Sequence, residues 1–347
     1  MSNQQDMTSL RPDVLSERDL RHVYVSVVIP AYNEAAGLPK AVSTISDILR
    51  DCVKDWEIVI VDDGSTDSTF DTISSLSADD SRVKGLQLSR NFGKEAALLC
   101  GLKAAAGDVV ITIDSDLQHP PKLIPTMLEE WRKGAMVVHA VKRSRERDSM
   151  AARLRALMFN KVLSNMSEID LNNSSDFKLL DRLIVNTLIR ELPERQRFYR
   201  GLTGWIGYPA ASVEFDVESR ELGEGKWSGI RLIDLAVTAI VSFTSAPLRI
   251  VTILGFATLL LGAIVGADAI VSWALGKAVS GFTTTITTLL IVGSFIMISL
   301  GILGEYVAKI YDEIKMRPVY FVQETVGLNE GQARSAGRNV DDRRSIL

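Results

Sequence analysis

Apolar and polar positions along this chain fall into three regimes. From Tyr24 to about Val141, short apolar runs alternate with stretches of helical spacing. The runs are Val25–Ile29, Trp56–Val61, Val83–Leu88, Val109–Ile113 and Met136–Val141. Between them, helical patterns cover Leu38–Leu49, a segment opening near Asp67, Lys94–Ala106 and Lys122–Arg132. Runs that are apolar throughout suit strands buried on both faces of a parallel sheet. Their alternation with helices predicts an α/β fold: a mainly parallel, doubly wound sheet with right-handed crossovers. Helical patterns resume at Met150–Asn165 and Asp181–Glu191.

The second regime is almost free of charge. Leu248–Trp273 and Phe282–Leu303 are each about long enough to cross a hydrocarbon core of ~30 Å. Buried helices of a soluble core are the plainer alternative, but two adjacent segments of this kind favour a membrane hairpin. Gly262 and Gly266 form a small-xxx-small pair suited to close helix contact. Arg249 stands at the very start of the first segment, Lys309, Lys315 and Arg317 follow the second, and the loop between them carries only Lys277. The positive-inside rule then puts both termini in the cytoplasm. Just upstream, Ile230–Phe243 is apolar on more than one face and ends before Pro247. It reads as an interfacial helix, with a helix packed on the soluble part as the alternative. The third regime, from about Gly327, is polar without periodicity and predicts a disordered tail.

Composition narrows the class. A formal charge of −4 argues against a general nucleic-acid binder. Cys52 and Cys100 have no CxxC or metal-ligand spacing and read as reduced thiols. His22, His119 and His139 form no zinc pattern, and the polar first residues, Met1 to Arg21, lack the apolar core of a signal peptide.

Candidate chemistry gathers at three strand ends. Asp114-Ser115-Asp116 follows the fourth apolar run, and two carboxylates at this spacing can grip a hard divalent cation, Mg²⁺ or Mn²⁺. The carboxyl ends of strands in an open α/β sheet are also where ligands bind. The second run ends in Asp62-Asp63-Gly64-Ser65, whose acids can accept hydrogen bonds from a nucleoside. Their alternative role is capping the next helix, for which Asp67 is better placed. The first run ends in Pro30-Ala31-Tyr32-Asn33-Glu34. Anionic substrates call for cations: Arg143 and Arg145 follow the fifth run, Arg197 and Arg200 flank an aromatic pair, and Arg220 and Lys226 bracket a Gly-rich loop.

Taken together, these motifs resemble the family 2 glycosyltransferases of GT-A fold. The resemblance runs on through Ser89-Arg90-Asn91-Phe92-Gly93-Lys94, Asp114 to Pro121, Ser175 to Arg182 and Arg197 to Leu202. With the apolar hairpin, the chain is similar to the polyprenyl-phosphate branch, which contains dolichol-phosphate mannose synthases and bactoprenol glucosyltransferases. The resemblance implies a flexible extension over 1–22, a GT-A domain over 23–227, an interfacial helix over 228–246, two membrane helices over 247–307 and a cytoplasmic segment over 308–347. It implies that Pro30, Tyr32, Glu34, Asp62, Asp63, Lys94, Asp114 and Gln118 hold the nucleotide sugar. Asp116 is implied as direct metal ligand, with Asp114 beside it, and Asp176 as the residue matching the proposed catalytic base. Asp176 either takes a residual proton or positions phosphate and metal; a salt bridge to a nearby Arg is the structural alternative. Arg143, Arg200, Arg220 and Lys226 are implied for phosphate binding. The family's Arg-x-x-Gly-x-x-Lys element reads here Arg220 to Lys226, with Gly225 where Ser or Thr is common.

The expected activity is inverting, metal-dependent transfer of a hexose to undecaprenyl phosphate at the cytoplasmic membrane face, with UDP-glucose as donor, feeding modification of a cell-surface polymer. GDP-mannose is the alternative donor. Homo-oligomers through the membrane helices are expected, and nucleic acid is not a partner. A processive polysaccharide synthase is disfavoured because two spans build no channel and no Gln-x-x-Arg-Trp element is present. A non-catalytic membrane-anchored nucleotide binder is the alternative from another class.

Overall fold

A computed structural model describes residues 18–142, 174–192, 194, 197–215, 246–276 and 282–337. Strand β1 (Tyr24–Ala31) is central, paired in parallel with β2 (Asp55–Asp62) on one side and β4 (Val109–Thr112) on the other. Next to β2 lies β3 (Val83–Leu88), also parallel. Beyond β4 the direction reverses at β6 (Ser174–Asp181), antiparallel to β4, and again at β5 (Val137–Lys142), antiparallel to β6. β7 (Ala210–Phe215) runs parallel to β5. The carboxyl ends of β1, β2, β3, β4, β5 and β7 therefore share one edge. The expected α/β fold with a mainly parallel sheet is what these residues form.

Alternate strand positions feed two layers. Val27, Ile29, Ile58, Ile60 and Ile111 pack with Leu38, Ile45 and Leu49 of α1 (Leu38–Cys52), beside α2 (Thr69–Asp79) and α4 (Ile124–Arg132). Burying each such side chain contributes roughly 2 kcal/mol. On the other face lie α3 (Lys94–Ala104), α5 (Arg182–Arg190) and α6 (Tyr199–Trp205). α3 sits so close to the sheet that a Cβ at Gly101 would stand 2.3 Å from a methyl of Val28. Small residues bring this helix, and the Lys94 that starts it, down onto the strand ends.

A second unit consists of α7 (Ala246–Ala274) and α8 (Phe282–Ile314), which contact each other. Val251–Ser272 and Thr287–Ile314 are long and apolar enough to cross a membrane, each with a mean hydropathy of 2.1. Leu259, Leu260, Leu289 and Leu290 are exposed on them, which in water would leave large apolar faces uncovered. The second helix was expected to lie within 247–307 but continues to Ile314, through Glu305, Lys309 and Asp312. The expected helices over Met150–Asn165 and Ile230–Phe243 lie outside the described residues.

The chain then returns to the sheet. β8 (Val322–Val326) pairs antiparallel with β3, its start beside Leu88, which makes eight strands among the described residues. After it, α9 (Glu330–Ser335) packs on α3, opened by a capping box between Asn329 and Gln332. Gln332 is buried and donates to Glu57 (3.0 Å) and to the Ala104 carbonyl (3.0 Å). Glu57, itself buried, also accepts from Ser26 (2.6 Å) and the Ala106 N–H (2.7 Å) and pairs with Lys84. Disorder from about Gly327 is thus corrected for residues through Gly337. The segment lacks an apolar pattern because it docks through a hydrogen-bonded glutamine. Residues 18–22, expected within a flexible extension, are held on the domain: Arg18 donates to the carbonyls of Trp131 (2.6 Å) and Ala135 (2.9 Å) and pairs with Asp181.

Candidate active site

Three loops at the shared edge interlock. Asn33, at φ 56, donates its backbone N–H to the Ser65 hydroxyl, and its side-chain carbonyl accepts from the Thr66 N–H (both 2.9 Å). Asp62 is fully buried and accepts from the Ser65 N–H (3.0 Å) and the Gln87 amide (3.1 Å). Asp63 takes the N–H groups of Phe92 (2.8 Å) and Gly93 (2.9 Å). Burial pushes its carboxyl up, those two amides pull it back, and Asp62 beside it pushes it up again. Gly64, at φ 66, lets this turn touch the Arg90 backbone, where a Cβ would meet carbon at 2.3 Å. Hydrogen bonds from a nucleoside would share acceptor oxygens already in use within the protein.

Opposite these loops runs a chain of alternating charges. In the antiparallel pairing of β4 with β6, Thr112 faces Lys178, so two residues on Asp114 comes opposite Asp176. Lys94 bridges them, at 2.5 Å from Asp114 and 2.6 Å from Asp176. Arg200 grips Asp176 with two nitrogens, at 2.6 and 3.0 Å. Burial would raise the Asp176 carboxyl, but hydrogen bonds from Arg200 and the charges of Lys94 and Arg200 hold it well below the usual carboxylate range. Partial desolvation would lower the Lys94 ammonium, but Asp176 and Asp114 hold it above its ordinary value. Both cations keep part of their side chains open to solvent, 41% for Lys94 and 43% for Arg200.

Asp116 projects from the same loop into solvent, and its Oδ1 accepts from the Gln118 N–H (3.0 Å) across Leu117 at φ 55. Glu34 is half-buried, and its carboxyl is raised by burial, then by the charges of Asp116 and Asp67. Asp114, Asp116 and His119 offer one ligand atom each within 4.8 Å of one another. Two hard carboxylate oxygens in this set suit Mg²⁺ or Mn²⁺.

The structure thus brings Glu34, Lys94, Asp114, Asp116, Asp176 and Arg200 together. Pro30 is buried inside β1, while Tyr32 and Gln118 are exposed at the edge. Arg143, Arg145, Arg220 and Lys226 lie outside the described residues. For Asp176 the salt-bridged alternative is the one seen, and a carboxylate so held is a poor proton acceptor. Arg197 donates to the carbonyls of Leu188, Leu192 and Glu194, tying the end of α5 to the segment that leads into α6. The residue that caps α2 is Ser68, whose side chain makes no capping bond; Asp67, expected as the cap, lies one residue earlier and accepts from the Thr69 N–H (3.0 Å).

Sequence reasoning missed the support behind Asp176. The Thr112 hydroxyl donates to the Asp176 carbonyl (2.6 Å) and meets the Tyr199 hydroxyl (2.9 Å). Lys178, fully buried, bonds to Thr203 at the base of α6, and desolvation pushes its ammonium down to about 7. His119, dismissed for want of a zinc pattern, lies with Nδ1 3.7 Å from Asp114. Its position three residues after Asp116 in one loop was the available signal.

Comparison with known proteins fits this geometry. The model for glycosyl transferase family 2 matches residues 26–195, and that for the GtrB C-terminal hairpin matches 246–310. An uncharacterized glycosyltransferase of Synechocystis is 39% identical over 88% of this chain and 96% of its own length. A prophage-derived bactoprenol glucosyl transferase of Shigella flexneri is 36% identical, covering 87% of this chain and 98% of the relative. A prophage bactoprenol glucosyl transferase homolog of Escherichia coli K12 is also 36% identical, over 86% and 98%. With its α/β domain, acidic strand ends and apolar hairpin, the chain belongs to glycosyl transferase family 2, and it is a glycosyltransferase that carries a GtrB-type hairpin.

Proposed function

We propose that this glycosyltransferase moves a hexose from a nucleoside-diphosphate sugar, UDP-glucose, onto undecaprenyl phosphate at the cytoplasmic face of a membrane. The observation that carries the reading is the alternating series Asp114, Lys94, Asp176, Arg200 beside Asp116. Two anionic reactants must meet in this reaction, and two partly exposed cations held by an acid between them can receive phosphate oxygens. The bactoprenol glucosyl transferases among the relatives support the lipid acceptor and the glucosyl group. β7 ends and β8 begins at the edge that bears the site.

In the proposed reaction an acceptor phosphate oxygen attacks the anomeric carbon from the face opposite the nucleotide. The bond from that carbon to the donor's diphosphate breaks, and the nucleoside diphosphate leaves with the electron pair, inverting the configuration. Asp114 and Asp116, with His119 beside them, would hold Mg²⁺ or Mn²⁺, which when bound offsets charge on the departing diphosphate. Tyr32, Glu34, Asp62, Asp63 and Gln118 border the donor, with Pro30 shaping β1 beneath it. Phosphate monoesters have a second ionisation near pH 6. The acceptor is thus largely dianionic at neutral pH, and Asp176 acts by setting Lys94 and Arg200 rather than by taking a proton. Arg143, Arg220 and Lys226 are proposed to complete the acceptor side.

The test is transfer by purified full-length protein in lipid vesicles containing undecaprenyl phosphate, with Mg²⁺ or Mn²⁺ and radiolabelled UDP- and GDP-sugars. A labelled lipid formed from UDP-glucose supports the reading. Transfer from GDP-mannose alone would reassign the donor, and nucleotide binding without transfer to lipid would overturn it.

A further inference from the structure

Residues 318–337 lie beyond the segments matched by either family model. They nonetheless reach the donor loops. Where β8 starts, its pairing with β3 is irregular between Gln87 and Leu88, and the ladder is completed by the Ser89 N–H donating to the Phe321 carbonyl (2.9 Å). The Phe321 ring lies tilted against Phe92, centroids 6.3 Å apart, and the Arg90 guanidinium sits 4.4 Å from the Phe92 ring. Phe92 and Gly93 supply the two N–H groups that hold Asp63, and Gly93, at φ 97, delivers the chain into Lys94. One short loop thus joins the acids at the end of β2 to the cation between Asp114 and Asp176, and Phe321 leans on its middle.

We infer that Phe321 is a positioning residue for the donor site, bracing the Arg90–Gly93 loop so that Asp63 and Lys94 stay in register. Phe321 is more than half exposed, at 55%, so the hydrophobic core does not require it. Its orienting contact among the described residues is the aromatic one, worth roughly a three- to tenfold change in an equilibrium. The backbone bond through its carbonyl survives substitution, so the brace can be removed while the strand remains. The effect on the donor rests on the function proposed above; the effect on the loop does not.

The experiment uses full-length protein in lipid nanodiscs, comparing wild type with Phe321→Ala and Phe321→Tyr. In Phe321→Ala, amide hydrogen exchange should quicken at Phe92 and Gly93 while Leu86 in the β3–β8 ladder stays protected. The dissociation constant for UDP with Mn²⁺ and the KM for UDP-glucose should rise three- to tenfold, with kcat changed less than twofold. Phe321→Tyr should restore both. Unchanged exchange at Phe92 and Gly93, or unchanged UDP affinity in a variant whose loop has loosened, overturns the inference. Equal loss of protection along the whole ladder overturns it too, by reducing Phe321 to a structural role. If wild type binds no UDP and transfers no sugar, the donor reading fails while the exchange measurement still decides the brace.

Discussion

Two cations converge on Asp176, and that pairing sets what its removal should do. Asp176→Asn would leave Lys94 and Arg200 facing each other across a neutral amide, so both should swing from their present positions. Turnover is expected to fall roughly 100-fold, the size of effect seen when a preorganised charge is lost from an active site. Initial rates measured from pH 6 to 9 discriminate the roles. Recovery of Asp176→Asn as pH rises would reinstate it as a base, whereas an equal deficit at every pH fits positioning. Deeper in the domain two titrations oppose each other. Burial raises the Glu95 carboxyl from 4.5 to about 7, although the Tyr199 N–H donates to it. Its contribution to stability is complete below pH 4.5 and is lost as pH rises through 7. Desolvation, with Lys178 beside it, lowers His139 from 6.5 to about 4. Its contribution is complete above pH 6.5 and is lost as pH falls through 4. Between pH 4.5 and 6.5 the two nearly cancel, at about 1.4 kcal/mol per pH unit each. Glu95→Gln should therefore gain about 2 kcal/mol of stability from pH 4.5 to 6.5, and His139→Gln should lose as much. Unfolding curves at the two pH values check this, and slopes equal to that of wild type would contradict it.

Among the elements, those legible in the sequence are those whose environment is uniform. β1, β2 and β4 are buried over nearly their whole length, so largely apolar runs announced them within one or two residues, while β3, with Lys84 and Gln87 half-buried, was announced by its remaining apolar positions. β6 was not read as a strand because it buries Ser175, Asp176 and Lys178 alongside Phe177 and Leu179. A strand that carries the site's charges inside the domain has no apolar signature to follow. The acids of the site were legible because chain order alone puts Asp62 and Asp114 at strand ends on one edge. The pairing of Lys94 with Asp114 and Asp176 was not, since it depends on the antiparallel register of β6. Nor was the return of β8 and α9, whose anchoring group is one glutamine. Gln332→Ala removes a donor to Glu57 and a contact of Lys84, in a place water does not reach. Leaving such polar groups short of partners costs about 1–3 kcal/mol. In a domain of this size that lowers Tm by roughly 2–12 °C. Thermal unfolding of the purified protein measures it, and an unchanged Tm would mean that α9 contributes little to the fold.

At the scale of the whole molecule, the pairing of β8 with β3 constrains how the hairpin can meet a membrane. β3 precedes α7 in the chain and β8 follows α8, yet the two strands exchange backbone hydrogen bonds in one sheet. A sheet cannot be divided by a bilayer, because its edge groups would lose their partners in hydrocarbon. An even number of crossings between Leu88 and Val322 is then required, and if α7 and α8 are the segments that cross, they span together. The charges agree: Arg249 lies before the first span, Lys309, Lys315 and Arg317 lie toward the end of the second or beyond it, and Lys277 alone lies between. Positively charged flanks stay on the cytoplasmic side. Reporter fusions at Met1 and Leu347 should both report the cytoplasm, and a cysteine placed at Ser280 should be labelled only from outside in sealed cells lacking Cys52 and Cys100. Labelling of that cysteine solely after the membrane is opened would mean that neither helix crosses. Termini reported on opposite sides would be worse for the fold, since β8 could then no longer lie beside β3.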